Sequence, residues 1–357
     1  MKIKVRIFSV VLAAIMLSVN FTVFAITKTA WVPDASLNLP NPTYEFKSVT
    51  NGTSTMEYMV QMPRVRNFTG ATPSSTTKYP VLIALHGSGG ESYYLQYKTQ
   101  VMPDGAWMDH LSKSYEFPFI TIVPILPNEP GRHAWNSYED LVIKALDDTI
   151  ANYSCDTDRV YLTGFSLGGY GTYDIAMDYP NRFAACVPVA GNHDYKEAPR
   201  LANIPFMIFH GIGDFIVSFE EDKKMAEEMQ YQSPNPIVFF YILPYGHQLS
   251  DEVYCESTFN WMLRQKLVHD IKAPSKPNVY KISTTTKYVK GTLENELGTR
   301  IVVKSGPKII GQYYVDIHGE FSVKIASLQK AGTKLQIYAI DAFKNKSVSV
   351  YKTVVKK

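Results

Sequence analysis

The sequence is poor in cysteine and shows no strong compositional bias. Its 357 residues include three cysteines, and 36 Lys and Arg residues nearly balance 33 Asp and Glu residues. A disulfide-stapled miniprotein, a collagen-like fibre and a disordered chain each require a bias that is absent here. A chain of this length with 45% hydrophobic residues can bury one large core or two smaller ones.

Metal-binding and disulfide patterns are also absent from the sequence. No His-x-His or His-Glu-x-x-His spacing occurs, so the sequence indicates no metal site, and we expect no cofactor. Cys186 lies in an apolar run and is expected to be a small core residue. A bridge between Cys155 and Cys255 is possible but has no support from their spacing. The net charge of +3 by itself indicates neither a nucleic acid nor an acidic partner.

The longest apolar run of the chain lies at its N-terminus. Three basic residues precede an apolar stretch over residues 7–19, and Val-Phe-Ala at 23–25 fits a cleavage site. This pattern predicts a secretory signal peptide over residues 1–25. The alternative is an uncleaved membrane anchor, which polar residues at 18, 20 and 22 disfavour. We therefore expect a secreted protein, extracellular or associated with the cell wall, with no membrane segment after cleavage.

From residue 79 to 269 the chain alternates short apolar runs with helical stretches. The predicted strands are 81–85, 119–123, 160–163, 186–190, 206–209 and 237–243, and the predicted helices are 138–152, 170–179, 219–230 and 251–269. Strands that are apolar on both faces and alternate with helices predict an α/β fold with a mostly parallel sheet covered on both sides. Upstream, residues 44–62 predict a hairpin with a turn at Asn51-Gly52, which would form an antiparallel edge of that sheet.

The pattern changes after residue 270. A proline-marked linker at 273–277 is followed by short segments of strand character separated by Gly or Asn turns: 288–291, 300–304, 308–314, 320–325, 334–341 and 347–355. Short strands at this spacing, without helices, predict a small all-β sandwich. The sequence thus predicts a signal peptide at 1–25, an α/β domain at 26–272 and a β-sandwich domain at 273–357.

Residues 164–168 read Gly-Phe-Ser-Leu-Gly and carry the strongest local signal. They lie between a predicted strand and a predicted helix, which is the context of a nucleophile elbow. The turn is so sharp that residues two positions either side of the serine must lack side chains, which explains the two glycines. We therefore predict Ser166 as a nucleophile at the C-terminal edge of the sheet.

A serine hydroxyl needs a base within hydrogen-bond reach, and the base needs an orienting carboxylate. Around such elbows the order along the chain is serine, acid, histidine, each just past the end of a strand. Asp214 follows the strand at 206–209, and His247 follows the strand at 237–243. The sequence therefore predicts a triad of Ser166, Asp214 and His247.

Further candidates lie in two loops on the same edge. The loop at 85–90, Leu-His-Gly-Ser-Gly-Gly, offers free backbone N–H groups, and we predict that the Ser88 and Leu167 N–H groups form an oxyanion hole. A flexible glycine turn is the alternative for this loop. His86 is expected to orient the loop beside the substrate. Trp135 would form a wall for an acyl or aryl group, or it packs in the interior.

A lid is not expected. Only about 14 residues separate Ala190 from Pro205, the interval where many enzymes of this kind insert a lid domain. An open cleft suits a bulky or polymer-attached substrate better than a sequestered lipid chain.

These motifs, together with Tyr-Pro-Asn-Arg-Phe-Ala-Ala at 179–185 and His-Gly-Ile-Gly-Asp at 210–214, resemble those of secreted α/β-hydrolases. The resemblance covers residues 85–263. It is closest to the carboxylesterase-like, feruloyl-esterase-like and predicted-peptidase group, which is related to prolyl oligopeptidase. The resemblance implies the α/β-hydrolase fold and the same triad. Leu167 departs from the Met that often follows the serine, and its N–H group is retained.

Residues 277–355 resemble bacterial Ig-like modules of Gram-positive surface proteins. The resemblance rests on Lys-Ser-Gly at 304–306, Ala-Gly-Thr at 331–333 and the run from Asp341 to Ser347. It implies a spacer or attachment domain without catalytic residues. Lys344 stands where such modules usually have glycine, so the last turn is predicted to be altered.

The function expected from the sequence is a secreted serine hydrolase acting on a small-molecule or polymer-attached carboxylic ester. A serine peptidase of the prolyl-oligopeptidase type is the nearest alternative. A non-catalytic surface protein is an alternative of a different class. Residues 274–357 carry 15 basic and 5 acidic side chains, whereas residues 26–273 carry 18 and 28. This asymmetry favours attachment to an anionic cell wall and gives no indication of a nucleic-acid partner.

Overall fold

The computed structural model describes residues 43–65, 68, 70–89, 116–129, 134–232, 238–267, 272–293, 299–315, 319–341 and 344–357. The predicted signal peptide at residues 1–25 lies outside these ranges, as does Gly90 in the loop predicted to hold the oxyanion.

Within these ranges, eight strands form a single sheet. The strands are β1 (Tyr44–Thr50), β2 (Thr55–Gln61), β3 (Tyr79–Leu85), β4 (Ile120–Pro124), β5 (Cys155–Phe165), β6 (Ala185–Val189), β7 (Phe206–Gly211) and β8 (Val238–Leu243). Their order across the sheet is β1-β2-β4-β3-β5-β6-β7-β8. The β1/β2 and β2/β4 pairs are antiparallel, and β4, β3 and β5 to β8 run parallel. The parallel sheet with an antiparallel hairpin at its edge is therefore confirmed.

Both faces of the sheet are covered, because β3, β4, β6 and β7 are buried along their whole length. The helices are α1 (Glu139–Asn152), α2 (Leu167–Asp178), α3 (Phe219–Gln232), α4 (Ser250–Val253) and α5 (Glu256–Arg264). Helices α1, α2 and α3 contribute to the core on one face, and α5 contributes to the core on the other. No helix in the described part of the chain is both long and apolar enough to span a bilayer.

The single helix predicted at 251–269 is wrong. Helices α4 and α5 are separated at Tyr254 and Cys255, and Cys255 adopts an extended conformation. The Thr258 hydroxyl donates to the Val253 carbonyl over 2.6 Å, which ends α4 with a side-chain partner. Tyr254 is buried, and its ring stacks on Phe259. Burial of this side chain therefore outweighs the continuous helical pattern of the sequence.

The predicted β-hairpin forms, with a longer turn than a two-residue Asn-Gly connection. Thr50 pairs with Thr55, which leaves four residues in the turn. The Asn51 side-chain oxygen accepts the N–H groups of Thr53 and Ser54. Gly52 has φ +92°, a conformation that glycine adopts without strain.

The C-terminal segment forms two antiparallel sheets within its described residues. Strands β9 (Asn278–Val279), β10 (Tyr288–Thr292) and β13 (Glu320–Lys324) form one, in the order β13-β10-β9. Strands β11 (Arg300–Ser305), β12 (Lys308–Tyr314), β14 (Lys334–Ile340) and β15 (Val350–Thr353) form the other, in the order β12-β11-β14-β15. Alternate residues of both sheets meet in one apolar core. This arrangement confirms the predicted β-sandwich.

The turn after β14 contains Lys344, which stands where the similar modules usually have glycine and was predicted to alter this turn. Its φ of +67° is the left-handed conformation that glycine favours, so the lysine adopts this backbone at some cost in strain. Asp341 holds the turn, since its two carboxylate oxygens accept the N–H and the side-chain amide of Asn345 over 2.8 and 2.9 Å. At Lys344 the predicted alteration is therefore not seen in the backbone, which keeps the left-handed conformation that glycine favours.

The three cysteines are free, so the bridge considered between Cys155 and Cys255 does not form. Cys186 is fully buried in the core beside the sheet, as predicted for a small hydrophobic residue. Burial raises the pKa of the Cys155 thiol to about 12 and raises that of Cys186. Both side chains therefore remain neutral thiols.

Candidate active site

Ser166 occupies a sharp turn between β5 and α2. Its φ of +55° and ψ of −116° lie in a region that side-chain-bearing residues rarely adopt. A Cβ atom on Gly164 would lie 2.3 Å from the Gly168 carbonyl oxygen, and one on Gly168 would lie 2.2 Å from the Leu85 oxygen. The glycines of the motif are thus required by close backbone approach, and the turn presents the serine hydroxyl at the C-terminal edge of the sheet.

The structure brings Ser166, His247 and Asp214 together in one hydrogen-bonded chain. His247 Nε2 lies 2.9 Å from Ser166 Oγ, and His247 Nδ1 lies 2.7 Å from Asp214 Oδ2. The Asp214 side chain is fully buried, whereas that of His247 remains slightly exposed. Phe165 packs its ring 5.0 Å from the imidazole of His247. The three side chains that the sequence singled out are therefore in direct contact.

Asp214 is held as an anion. Its second oxygen, Oδ1, accepts the backbone N–H groups of Ile216 and Val217, each over 2.9 Å. Burial alone would raise the pKa of Asp214, but the hydrogen bonds from His247 and from these two N–H groups lower it below its usual range. An ionised Asp214 requires His247 Nδ1 to donate, which leaves Nε2 free to accept a proton from the serine.

The loops that carry Asp214 and His247 lie against each other because β7 and β8 are parallel neighbours. The Gly213 N–H donates to the Tyr245 carbonyl over 2.9 Å. A Cβ atom on Gly211 would lie 2.3 Å from the Gly246 oxygen. Glycine at 211 therefore permits the close approach of the loops that carry Asp214 and His247.

A buried cluster lies on the other side of Asp214. His210 Nδ1 is 2.7 Å from Asp222 Oδ2, and the Tyr173 hydroxyl donates to Asp222 Oδ1 over 2.6 Å. His210 Nε2 lies 3.2 Å from the Val217 carbonyl oxygen and 3.4 Å from Asp214 Oδ2. His210 and Asp222 have fully buried side chains. Sequence reasoning missed this cluster, and the one available signal was the position of His210 four residues before the acid.

The loop after β3 lies beside Ser166. A Cβ atom on Gly87 would lie 3.4 Å from the Ser166 Cβ atom. The Leu126 N–H donates to His86 Nε2 over 3.0 Å, so His86 Nδ1, which lies 2.7 Å from the Gly87 carbonyl oxygen, carries the proton and donates to it. Because C=O and N–H point in opposite directions in a trans peptide, this bond directs the Ser88 N–H away from His86.

The predicted oxyanion donors thus lie on the two segments that flank Ser166. Leu167 is the first residue of α2, where backbone N–H groups have no partner within the helix. Ser88 is exposed in the loop after β3. Their roles as donors to an oxyanion stay predictions.

Trp135 is 1% exposed and belongs to the core beside the sheet. Its indole N–H donates to the His86 carbonyl over 3.2 Å, and its ring meets the His86 ring edge to face at 4.9 Å. A Cβ atom on Gly171 would lie 2.5 Å from the Trp135 Cβ atom. The structure therefore favours the packing role: Trp135 supports the loop at His86 from within, and a wall that touches substrate is contradicted by its burial.

Two family models match parts of the chain. A model described as Prolyl oligopeptidase family matches residues 131–199, which include Ser166. A model described as Bacterial Ig domain matches residues 273–356.

Curated relatives match shorter stretches. A bifunctional acetylxylan esterase/xylanase from Neocallimastix patriciarum is 27% identical over 146 residues, 40% of this chain and 20% of that protein. A poly(3-hydroxyalkanoate) depolymerase C from Paucimonas lemoignei is 44% identical over 76 residues, 21% of this chain and 18% of that protein. A feruloyl esterase B from Neurospora crassa is 29% identical over 139 residues, 36% of this chain and 44% of that protein. The chain spans less than half the length of these relatives.

Among solved structures, a structure of FAE is 16% identical and matches with a TM-score of 0.50 over 68% of this chain and 95% of that chain. At this level of identity the likeness concerns the fold alone. Together with the sheet order and the family models, it confirms the resemblance predicted from the sequence motifs. The chain carries an α/β-hydrolase fold, in which residues 131–199 are similar to the prolyl oligopeptidase family, followed by a segment at 273–356 that is similar to bacterial Ig domains.

Proposed function

We propose that the protein is a serine hydrolase that cleaves carboxylic esters through Ser166, His247 and Asp214. The observation that carries the proposal is the hydrogen-bonded chain from Ser166 Oγ to His247 Nε2, over 2.9 Å, and from His247 Nδ1 to Asp214 Oδ2, over 2.7 Å. The position of Ser166 on a strained turn at the C-terminal edge of the sheet supports the same conclusion.

In the proposed mechanism, His247 Nε2 takes the hydroxyl proton as Ser166 Oγ attacks the ester carbonyl carbon. The carbonyl oxygen becomes an anion, which the Leu167 and Ser88 N–H groups stabilise. When the tetrahedral intermediate collapses, the alcohol leaves with the proton from His247, and the acyl group stays on Ser166. Water, deprotonated by His247, then releases the acid and regenerates the serine.

Ester chemistry is preferred over peptide hydrolysis because of the relatives. The three curated relatives are named an acetylxylan esterase/xylanase, a poly(3-hydroxyalkanoate) depolymerase and a feruloyl esterase. A peptidase of the prolyl oligopeptidase type would use every step above except the leaving group, and the family model over residues 131–199 keeps it as the second candidate. A non-catalytic surface protein is the third.

A panel of p-nitrophenyl esters and short peptide p-nitroanilides separates these candidates. We expect the esters to be hydrolysed with the higher kcat/KM, and Ser166→Ala to lower kcat/KM by a factor on the order of 10,000, because both steps pass through the serine. Ser74→Ala, which removes an exposed serine of the same domain, should leave the rate unchanged. Faster cleavage of the anilides would favour the peptidase, and no cleavage of either class by folded protein would favour the surface protein.

We propose further that the ester carries an extended apolar group. Four apolar side chains on the two loops of Asp214 and His247 are solvent-exposed and are called the apolar rim: Ile212 (50% exposed), Phe215 (99%), Ile216 (75%) and Tyr245 (43%). The backbone beneath Phe215 is fixed, since the N–H groups of Ile216 and Val217 donate to Asp214. An ester bound at Ser166 would meet this rim, and burying an apolar group there would contribute binding energy.

Chain-length preference tests the apolar rim. We expect Phe215→Ser to lower kcat/KM for p-nitrophenyl octanoate about tenfold and to leave p-nitrophenyl acetate within about twofold, because only the longer acyl group reaches the rim. Phe46→Ser removes an exposed phenylalanine from the edge strand β1 and is the matched control. In this variant the ratio of the kcat/KM values for the two esters should not change. If Phe215→Ser left the ratio of kcat/KM for the octanoate to kcat/KM for the acetate unchanged, the substrate proposal would be contradicted.

We propose that the protein is exported and held at an anionic cell wall by its Ig-like domain. The N-terminal pattern at residues 1–25 supports export, and a mature protein that begins at Ile26 would establish cleavage. Strands β11, β12, β14 and β15 together contain five basic residues and no acidic residue. Such a sheet would attract an anionic polymer, and the acidic hydrolase domain would be repelled by the same polymer.

Binding of the mature protein to purified anionic wall fragments tests attachment. We expect binding at about 0.05 M salt and its loss at about 1 M, where the screening length falls to about 3 Å. Replacing Lys304 and Lys334 by serine should weaken binding at low salt. Replacing Lys223 and Lys224 of the hydrolase domain by serine removes the same charge and should not weaken it. Binding that is insensitive to salt would contradict the electrostatic attachment.

A further inference from the structure

The cluster of His210, Asp222 and Tyr173 joins three elements, and two of them, β7 and α2, adjoin the triad residues Asp214 and Ser166. His210 lies near the end of β7, directly before the loop of Asp214. Asp222 lies in the first turn of α3, and Tyr173 lies on α2, the helix that begins after Ser166. These side chains are buried, with contacts of 2.7 Å between His210 and Asp222 and 2.6 Å between Tyr173 and Asp222. The cluster therefore connects the nucleophile helix to the acid loop.

The groups around His210 determine which of its ring nitrogens carries a proton. Nε2 faces the Val217 carbonyl oxygen at 3.2 Å and Asp214 Oδ2 at 3.4 Å, and both atoms accept hydrogen bonds. Nε2 must therefore carry a proton. Burial lowers the pKa of His210, but its hydrogen bond to Asp222 and the charge of that carboxyl group outweigh burial and raise it. His210 and Asp222 thus form a buried pair that keeps a proton on Nε2, which donates to the Val217 carbonyl and lies 3.4 Å from Asp214 Oδ2.

The Asp214 oxygen that faces His210 is the one that contacts His247. Oδ2 lies 2.7 Å from His247 Nδ1 and 3.4 Å from His210 Nε2. Two backbone N–H groups hold the other oxygen, Oδ1. The rotamer of Asp214 is therefore fixed at both oxygens: two N–H groups of its own loop hold Oδ1, and His247 and His210 lie against Oδ2. Without His210, Oδ2 would keep its contact with His247 Nδ1 and lose the nearby N–H of His210, so the carboxylate would be freer to rotate.

We infer that His210, held by Asp222 and Tyr173, is a positioning residue that fixes Asp214 in the orientation His247 requires. This inference rests on the proposed ester hydrolysis and adds to it a residue that touches neither the substrate nor the reacting atoms. A role in folding alone would give His210 the same burial. The test must therefore separate activity from stability.

Two substitutions at His210 make that separation. In His210→Asn the side-chain amide can reach Asp222 in place of Nδ1, but the donor towards Asp214 is lost. In His210→Gln the longer side chain can place a neutral amide donor where Nε2 stood. We expect His210→Asn to lower kcat for p-nitrophenyl acetate by about 10- to 100-fold with KM unchanged, and His210→Gln to recover part of that loss. Thermal melting of both variants reports their stability.

Tyr173→Phe provides a milder variant in case the substitutions at His210 prevent folding. It removes the hydrogen bond to Asp222 and leaves the ring in the core, so we expect a few-fold loss in kcat with KM unchanged. A kcat equal to that of the wild type in folded His210→Asn and Tyr173→Phe would overturn the inference. Equal losses of kcat in His210→Asn and His210→Gln that parallel the losses of their melting temperatures would also overturn it. A wild-type protein that hydrolyses no ester would instead refute the proposed function.

Discussion

The close backbone packing around Ser166 is the constraint on which the site depends. Gly164 and Gly168 lie so near their neighbours that a Cβ atom at either position would approach a carbonyl oxygen to 2.3 or 2.2 Å. Ser166 itself has a conformation that costs on the order of 1–3 kcal/mol. Strands β3 and β6 pair with β5 on either side and are buried along their whole length, and they supply the packing that holds this turn. The same contact with Leu85 brings the loop after β3 against Ser166.

The second half of the site is built by two neighbouring parallel strands. Strands β7 and β8 end at the same edge, and Gly211 lets the loops of Asp214 and His247 meet. Asp214 is then surrounded by His247, by two backbone N–H groups and by the buried pair of His210 and Asp222. The apolar side chains of these loops are exposed to solvent, and Asp214 holds the backbone of Ile216 and Val217 through their N–H groups.

Much of this arrangement was predictable from the sequence because it depends on local patterns and chain order. The strand–Gly-x-Ser-x-Gly–helix pattern located Ser166, and the order serine, acid, histidine located Asp214 and His247. The direction of the Trp135 side chain was not predictable, because a loop position does not indicate burial. The break at Tyr254 and the contact of Tyr173 with Asp222 were also missed, since the Tyr254 hydroxyl contacts Thr163 and Tyr173 contacts Asp222, residues distant in the sequence.

Covalent labelling of the serine tests most directly whether His247 makes Ser166 a nucleophile. Native protein and the His247→Ala variant would be treated with a fluorophosphonate, digested, and mapped by mass spectrometry. We predict a phosphonylated peptide at Ser166 in the native protein and a labelling rate lower by several orders of magnitude in His247→Ala, where the hydroxyl remains but its base is gone. Equal labelling rates in the two proteins, or a label on a different serine, would contradict the account.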